Sequence, residues 1–369
     1  MSQLASLQGS REAAVARHSQ GAPESRREAN KYTSYRALEG LSRASASLIC
    51  EGAELLDLEA AMTRDPERVK ACLGSLATGP WADTALASKP NLAVLWLSPG
   101  DETLRVSLRG QGAGQSHQHL LLLSDPDCQR SVHLELLDDA SGSHHLNLVI
   151  EADLAESSRL DLSVSQAMSS ESYVTATWAF RLAKKANLHA VWMDFGAALA
   201  RHDLQVDLAE PQARAELAGL MLPKLGQHHD QHLTLHHGAS DTHSQQLFKG
   251  LVGARGRSVF SGRVEIKEGA AGCSSHQLCR GILLGDGAEF DARPQLLICI
   301  DAVEASHGAS CGAMDEKSMF FLRSRGLDEL AAKQLLAEAF AGEVIELLGD
   351  PSRSESTLQR VRSMIQEIH

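Results

Sequence analysis

The sequence is poor in the features that most enzymes and membrane proteins carry. Aromatic residues make up only 4% of its 369 residues. Few large rings are available for a bulky interior, so Leu, Val, Ile and Ala must fill a thin, layered one. No apolar run approaches the roughly 20 residues that span a bilayer. The first twenty residues are polar and lack the apolar stretch of a secretion signal. A soluble, cytoplasmic protein is expected. The seven cysteines (Cys50, Cys72, Cys128, Cys273, Cys279, Cys299, Cys311) are scattered, odd in number and free of any CxxC pair. That points to free thiols in a reducing compartment rather than a zinc ribbon or a thioredoxin-like site. A phosphate-cradling GxxxxGK[ST] loop is absent, so no nucleotide is expected on this chain. A dinucleotide-binding GxGxxG between strand and helix and an HExxH metal motif are absent too. The formal charge of −12 would repel nucleic acid and an anionic membrane surface.

What is present changes character along the chain. Residues 1–24 are rich in Ser, Ala, Gln, Gly and Arg and predict a frayed or partly helical start. From Ser25 to about Thr84 the reading is helical, with Ala44–Met62 as one segment interrupted by Gly52 and another starting at Asp65-Pro66. This gives an N-terminal helical region over residues 1–89. From Leu92 onward short runs recur, many of them strictly alternating, such as Arg159-Leu-Asp-Leu-Ser-Val164 and Asp203-Leu-Gln-Val-Asp-Leu208. A period of two is the strand signature. Polar turns such as Asp138-Asp-Ala-Ser-Gly-Ser143 separate the runs.

Many short strands without intervening helix leave three architectures: a sandwich, a barrel or a parallel β-helix. A sandwich is complete at roughly one hundred residues, whereas a solenoid grows by adding rungs. The run persists to about residue 314, which favours a β-helix core over residues 90–314. Residues 315–369 then read as a C-terminal helical domain. Leu335, Leu336, Ala339, Phe340, Val344, Leu347 and Leu348 fall at helical spacing, Gly349-Asp-Pro351 ends that helix, and Ser354–Ile368 forms another. The stripe suits packing against the end of the solenoid, whose last rung needs cover, or docking of a partner.

Two groups could carry chemistry. His228, His229, His232, His236, His237 and His243, with Asp230 and Asp241, are the densest ionisable cluster. Imidazole and carboxylate suit first-row metals, and strand alternation puts His228, Asp230 and His232 on one face. Solvated histidines at rung edges explain the same pattern. The second group is Cys279, His307 and Cys311. Thiolate and imidazole together can hold an iron-sulfur species, although each residue alone reads as readily as packing.

The ordered blocks from Gly219 to Glu346 resemble the SufB/SufD family, the scaffold subunits of the SUF iron-sulfur cluster assembly complex. They include Gly219-Leu-Met-Leu222, Asp230-Gln-His232, His243-Ser-Gln-Gln-Leu-Phe-Lys-Gly250, Arg293-Pro-Gln-Leu296, Ser306-His-Gly-Ala309, Met314-Asp-Glu316 and Phe321-Leu-Arg-Ser-Arg-Gly326. Glu28-Ala-Asn-Lys-Tyr-Thr33 is similar to a short N-terminal motif of the family. The layout resembles SufD more than SufB. The resemblance implies a right-handed parallel β-helix flanked by helical segments. It also implies association with SufB and with the SufC ATPase, which would supply ATP energy to a non-catalytic scaffold. A transient iron-sulfur cluster or iron would form at the partner interface, and a reduced flavin could join the complex.

His307 falls on the histidine implicated at that interface and is the leading metal candidate, with His232 behind it. Cys279 falls where SufB carries its functional cysteine, and Cys311 is a weaker thiol candidate. Ala305 stands where the family's SufD motif usually has Cys. Phe321, Arg323, Arg325, Leu336, Phe340 and Val344 lie in the region that would dock the ATPase. Two other readings compete: a β-helix enzyme acting on polysaccharide, with carboxylates in an open groove, and a structural homodimer pairing through β-helix edges.

Overall fold

The computed structural model describes residues 12, 14–16, 35–38 and 41–368. Most of the expected frayed start, and the whole of the Glu28–Thr33 motif, lie outside the described residues. The core is a parallel β-helix built from two facing sheets. One sheet has nine strands: β1 (Ser45–Glu51), β3 (Leu104–Gln111), β5 (Gln129–Asp138), β7 (Arg159–Gln166), β9 (Asn187–Asp194), β11 (Arg214–Met221), β13 (His243–Val252), β15 (Ser274–Leu283) and β17 (Glu304–Ala313). The other has eight: β2 (Asn91–Leu97), β4 (Gly114–Ser124), β6 (His144–Leu154), β8 (Tyr173–Leu182), β10 (Leu199–Leu208), β12 (His228–His237), β14 (Arg257–Ile266) and β16 (Glu289–Ile298). Each strand from β2 onward pairs in parallel with the strand two further along, so the chain coils and every turn adds one rung.

Alternation decides which side chains enter the core. In β7, Leu160, Leu162 and Val164 are buried between the sheets, as the sequence pattern requires. A side chain fully buried in this way contributes about 1.5–3 kcal/mol. The corners repeat as well. Asp127, Ser157, Lys185, Gln212 and Asp241 each adopt a left-handed conformation between two strands. Each donates its backbone N–H to a carbonyl of the next rung's turn, as Lys185 does to Pro211 at 3.1 Å and Gln212 to Ser240 at 3.2 Å. The stacked corners thus satisfy polar groups that a lone turn would leave to water.

Among the described residues, the N-terminal region is helical as expected except over residues 45–51. Residues 45–51 form β1, antiparallel to β3, with Ser45 opposite Gln111. Residues 12 and 14–16 are helical and Arg36–Leu38 form a short 3-10 turn; after β1 come α1 (Leu58–Arg64), α2 (Pro66–Cys72) and α3 (Pro80–Ala87). The exposed edge of β3 needs a partner, and that tertiary demand outweighs the modest helix propensity of the segment. The helices lie on the outer face of the eight-stranded sheet, where Ala61, Val69 and Cys72 meet Val94, Leu121 and Leu123. Glu151, buried on that face, accepts hydrogen bonds from the backbone N–H groups of Gly74, Leu76 and Ala77 and pairs with His119 at 2.8 Å.

The C-terminal helices are α4 (Glu316–Ser324), α5 (Glu329–Ile345) and α6 (Pro351–Ile368). Gly349 takes φ 63° between the last two, and Pro351 opens α6. They do not close the end of the solenoid, one of the two roles the sequence left open for them. They pack on its side: Ala337, Ala341, Val344, Val361 and Met364 meet Val191, Met193, Ala218, Leu220 and Leu251, which project outward from β9, β11 and β13. Strands apolar on both faces must be covered on both, and that requirement draws the helices to the side. No helix among the described residues is long and apolar enough to cross a membrane.

Candidate functional site

Because the helices sit on the side, the final rung, β16 and β17, is left largely exposed. Its inward-facing positions are fixed by register. His276 bonds Ser306 on the outer face, ring Nδ1 to Oγ at 2.9 Å. Ala305, His307, Ala309 and Cys311 therefore face the interior side. His307 is the register partner of Gln277, and Cys279 of Ala309. In the rungs below, such positions are sealed by the next strand. Here no further strand follows among the described residues, and His307 and Cys311 are exposed.

Cys279 shares that face but lies one rung inside. It is fully buried, between Phe248 on β13 and Ala309 on β17. Burial pushes its thiol well above the ordinary range, and nearby Cys311 adds to the effect. Cys311 is raised as well, by burial and then by the Asp291 carboxylate. Both thiols are thus held in the protonated form, and Cys279 reaches solvent only if the last rung opens. The GxSxG spelling Gly308-Ala-Ser-Cys-Gly312 runs inside the extended strand β17, not at a strand-to-helix turn, so Ser310 does not sit on a nucleophile elbow.

The histidine-rich strand is organised differently. His228, Asp230 and His232 do share one face of β12, the outer one. His232 Nε2 lies 2.8 Å from Asp230 Oδ1. Asp230 also pairs with the buried Arg201 at 2.7 Å, and Arg201 pairs with Asp203 at 2.6 Å. Burial alone would raise the Asp230 carboxyl, but the Arg201 guanidinium, helped by His232, outweighs it and holds it below its usual range. His229 and His237 point into the core. His237 bridges Thr242 and Ser244, at 2.7 and 2.9 Å. His236 pairs with Glu265 at 3.0 Å, and His243 with Ser274 at 2.7 Å. Among the described residues no three His, Cys, Asp or Glu side chains are grouped to hold a metal ion. His232 and His307 lie on different sheets, one on an outer and one on an inner face, and are not brought together.

The expected docking residues divide. Phe321 and Leu336 line a groove of about 380 Å³ between α4 and α5, together with Leu335 and Ala339. Arg323 and Arg325 are exposed, and the Arg325 guanidinium sits 5.2 Å from the centre of the Phe321 ring. Phe340 and Val344 turn the other way. Val344 is wholly buried against the solenoid, which leaves it no surface to offer. Phe340 covers Lys249, a buried lysine on the outer face of β13 that the sequence reading quoted only within a block. Lys249 Nζ donates to the Phe340 carbonyl at 2.6 Å, pairs with Glu343 at 2.8 Å and lies 4.6 Å from the ring centre. Gln246 and Gln277 were also missed. The signal was there in retrospect, since Gln246, Gln277 and His307 recur one rung apart.

The family described as SUF system FeS cluster assembly, SufBD core domain, matches residues 107–340, most of the solenoid and the start of the C-terminal helices. The chain belongs to the SufBD family. An iron-sulfur cluster assembly SufBD family protein of Synechocystis is 34% identical over 182 residues, 48% of this chain and 39% of that protein. The iron-sulfur cluster assembly protein SufD of Escherichia coli is 33% identical over 166 residues, 45% of this chain and 39% of that protein. SufD of Plasmodium berghei is 32% identical over 167 residues, 45% of this chain and 12% of that protein. The matched segment thus spans about two fifths or less of each relative. SufBD membership places the exposed rung and the α4–α5 groove within, or beside, a region that this family shares.

Proposed function

We propose that this chain is a SufD-like, non-catalytic scaffold subunit of the SUF system that takes part in iron-sulfur cluster assembly. The observation that carries the reading is the exposed final rung, which displays His307 on a strand edge suited to pairing with another β-helix. SufB is the partner proposed for that edge, and the nascent cluster or its iron is cargo held at the junction, with His307 as a ligand. The protonated, enclosed state of Cys279 supports a packing role for that thiol and leaves the His307 imidazole and the Cys311 thiol as the exposed donors on that face. SufC is proposed to dock at the groove of Phe321 and Leu336 and to supply ATP hydrolysis. The abundance of buried histidine and scarcity of aromatic platforms give no support to a glycan-acting enzyme.

The test is co-purification of this chain with SufB and SufC, followed by anaerobic absorbance and iron and sulfide analysis. A stable complex that accepts a cluster is expected. His307→Ala is expected to keep the complex and lose at least about tenfold in cluster yield, since an exposed side chain carries little fold stability. Normal cluster maturation with that variant would refute the role of His307, and failure to bind either partner would refute the scaffold reading.

A further inference from the structure

Most polar groups inside the solenoid find partners, as His202 does with Trp178 and Asp194, but two glutamines in its last third do not. Gln246 and Gln277 point inward from β13 and β15 and are 1% and 2% exposed. Neither the amide nitrogen nor the amide oxygen of either has a hydrogen-bond partner among the described residues. Four unmet polar atoms in one place call for an explanation, because buried amides are costly when unpaired. The two glutamines are register partners, and His307 is the next residue in the same column. Leu217 closes the column at its inner end. Room for the Gln277 amide is made by Gly262, where an added Cβ would lie 2.3 Å from Nε2. Glycine inside a strand weakens it, so both the amide and its space are features the fold sustains at a cost. Beside the column runs a polar wall in which Ser244 donates to Ser275 at 2.9 Å.

A polar group enclosed without a protein partner is met by ordered water where several polar atoms converge. The two amides supply four such atoms, and the column leads outward to the exposed rung. We propose that Gln246 and Gln277 form an internal hydration site whose water reaches His307 and orients its ring, which makes Gln277 a positioning residue for that histidine. The water both donates and accepts, so it can link an amide to whichever ring nitrogen faces inward and so fix the tautomer that the outer nitrogen presents. The significance of this rests on the role proposed for His307, but the site itself does not.

The test uses the full chain without partners or cluster. A crystal structure that resolves ordered solvent is expected to show water within hydrogen-bond distance of both amides. Amides bonded to each other, or a dry site, overturn the proposal. In solution, nitrogen-15 shifts of the His307 ring, assigned by comparison with His307→Ala, report which nitrogen carries the proton. Gln277→Leu removes both amide atoms at nearly constant volume and is expected to change the tautomer ratio several-fold, whereas Gln277→Asn, which keeps an amide, is expected to stay near the parent value. An unchanged ratio in a folded Gln277→Leu overturns the positioning role. If that variant does not fold, the crystallographic result still decides the hydration site. Neither readout depends on cluster assembly, so either can fail while the scaffold reading stands.

Discussion

Cys279 and Cys311 point the same way from neighbouring strands, yet one is buried and the other exposed. The Cys279 thiol is enclosed, and desolvation keeps it protonated well past neutral pH. Since the thiolate is the reactive form, native Cys279 is expected to resist alkylation between pH 7 and 9. Cys299, which is exposed, should react on the order of 100-fold faster. Mass spectrometry of the labelled, folded chain measures this, and fast labelling of Cys279 would show that the last rung opens readily. Cys279→Ala is expected to cost about 1–2 kcal/mol, below the range for larger core truncations. The sequence left this cysteine open between packing and ligand and could not decide, because enclosure depends on β17 stacking over it from about thirty residues away.

At the scale of elements, Lys249 joins the solenoid to α5. Its ammonium is fully enclosed, and burial lowers its affinity for a proton while Glu343 opposes that shift. Glu343 is half exposed and can return to water, so Lys249→Met is expected to cost only about 1–2 kcal/mol through the hydrogen bonds lost. It should nonetheless release the helix locally. Hydrogen exchange in α5 and α6 is expected to rise before exchange in β9 or β11, and uniform change across the chain would argue against a local clamp. The C-terminal helices were legible because Asp315 and Asp328 cap them and leucines recur at helical spacing. Their orientation was not. Leu335 and Ala339 face the groove, while Ala332, Ala337 and Ala341 take the buried side, since alanine lets a helix approach a sheet closely. The corners escaped notice for a related reason. Ser157, Lys185 and Gln212 take the left-handed conformation without glycine, and the rung length varies from 26 residues (Tyr173 to Leu199) to 32 (Arg257 to Glu289). A repeat held together by stacked backbone hydrogen bonds needs no constant motif.

For the whole molecule, the buried histidines set the response to acid. His229 and His237 are lowered to about 4 chiefly by burial, and His145 to about 3. An unfolded histidine titrates near 6.5. Between about pH 6.5 and 4 the unfolded chain therefore takes up protons that the folded chain refuses. Stability is complete above that window and falls as the pH drops through it, by up to about 1.4 kcal/mol per pH unit for each such histidine. The buried carboxylates Asp194 and Asp230 are held below their usual range, so their contribution is lost only below about pH 4. Urea midpoints measured from pH 7.5 to 4.5 are expected to decline from about pH 6.5, and His237→Gln should make the decline shallower. A flat profile would contradict neutral burial of these rings. The two ends of the solenoid add an asymmetry. The first rung is closed by the antiparallel strand β1, whereas the last rung leaves Leu297 and Ile298 exposed on β16. An uncovered solenoid end is a template for another chain. If that end is the docking edge, Leu297→Asp with Ile298→Lys is expected to weaken association with SufB, or with a second copy, by at least about tenfold while the unfolding free energy from urea titration stays within about 0.5 kcal/mol of the parent. Sizing the pair by light scattering distinguishes the cases. Undiminished association would move the interface away from the last rung and, with it, the reason for His307 to stand there.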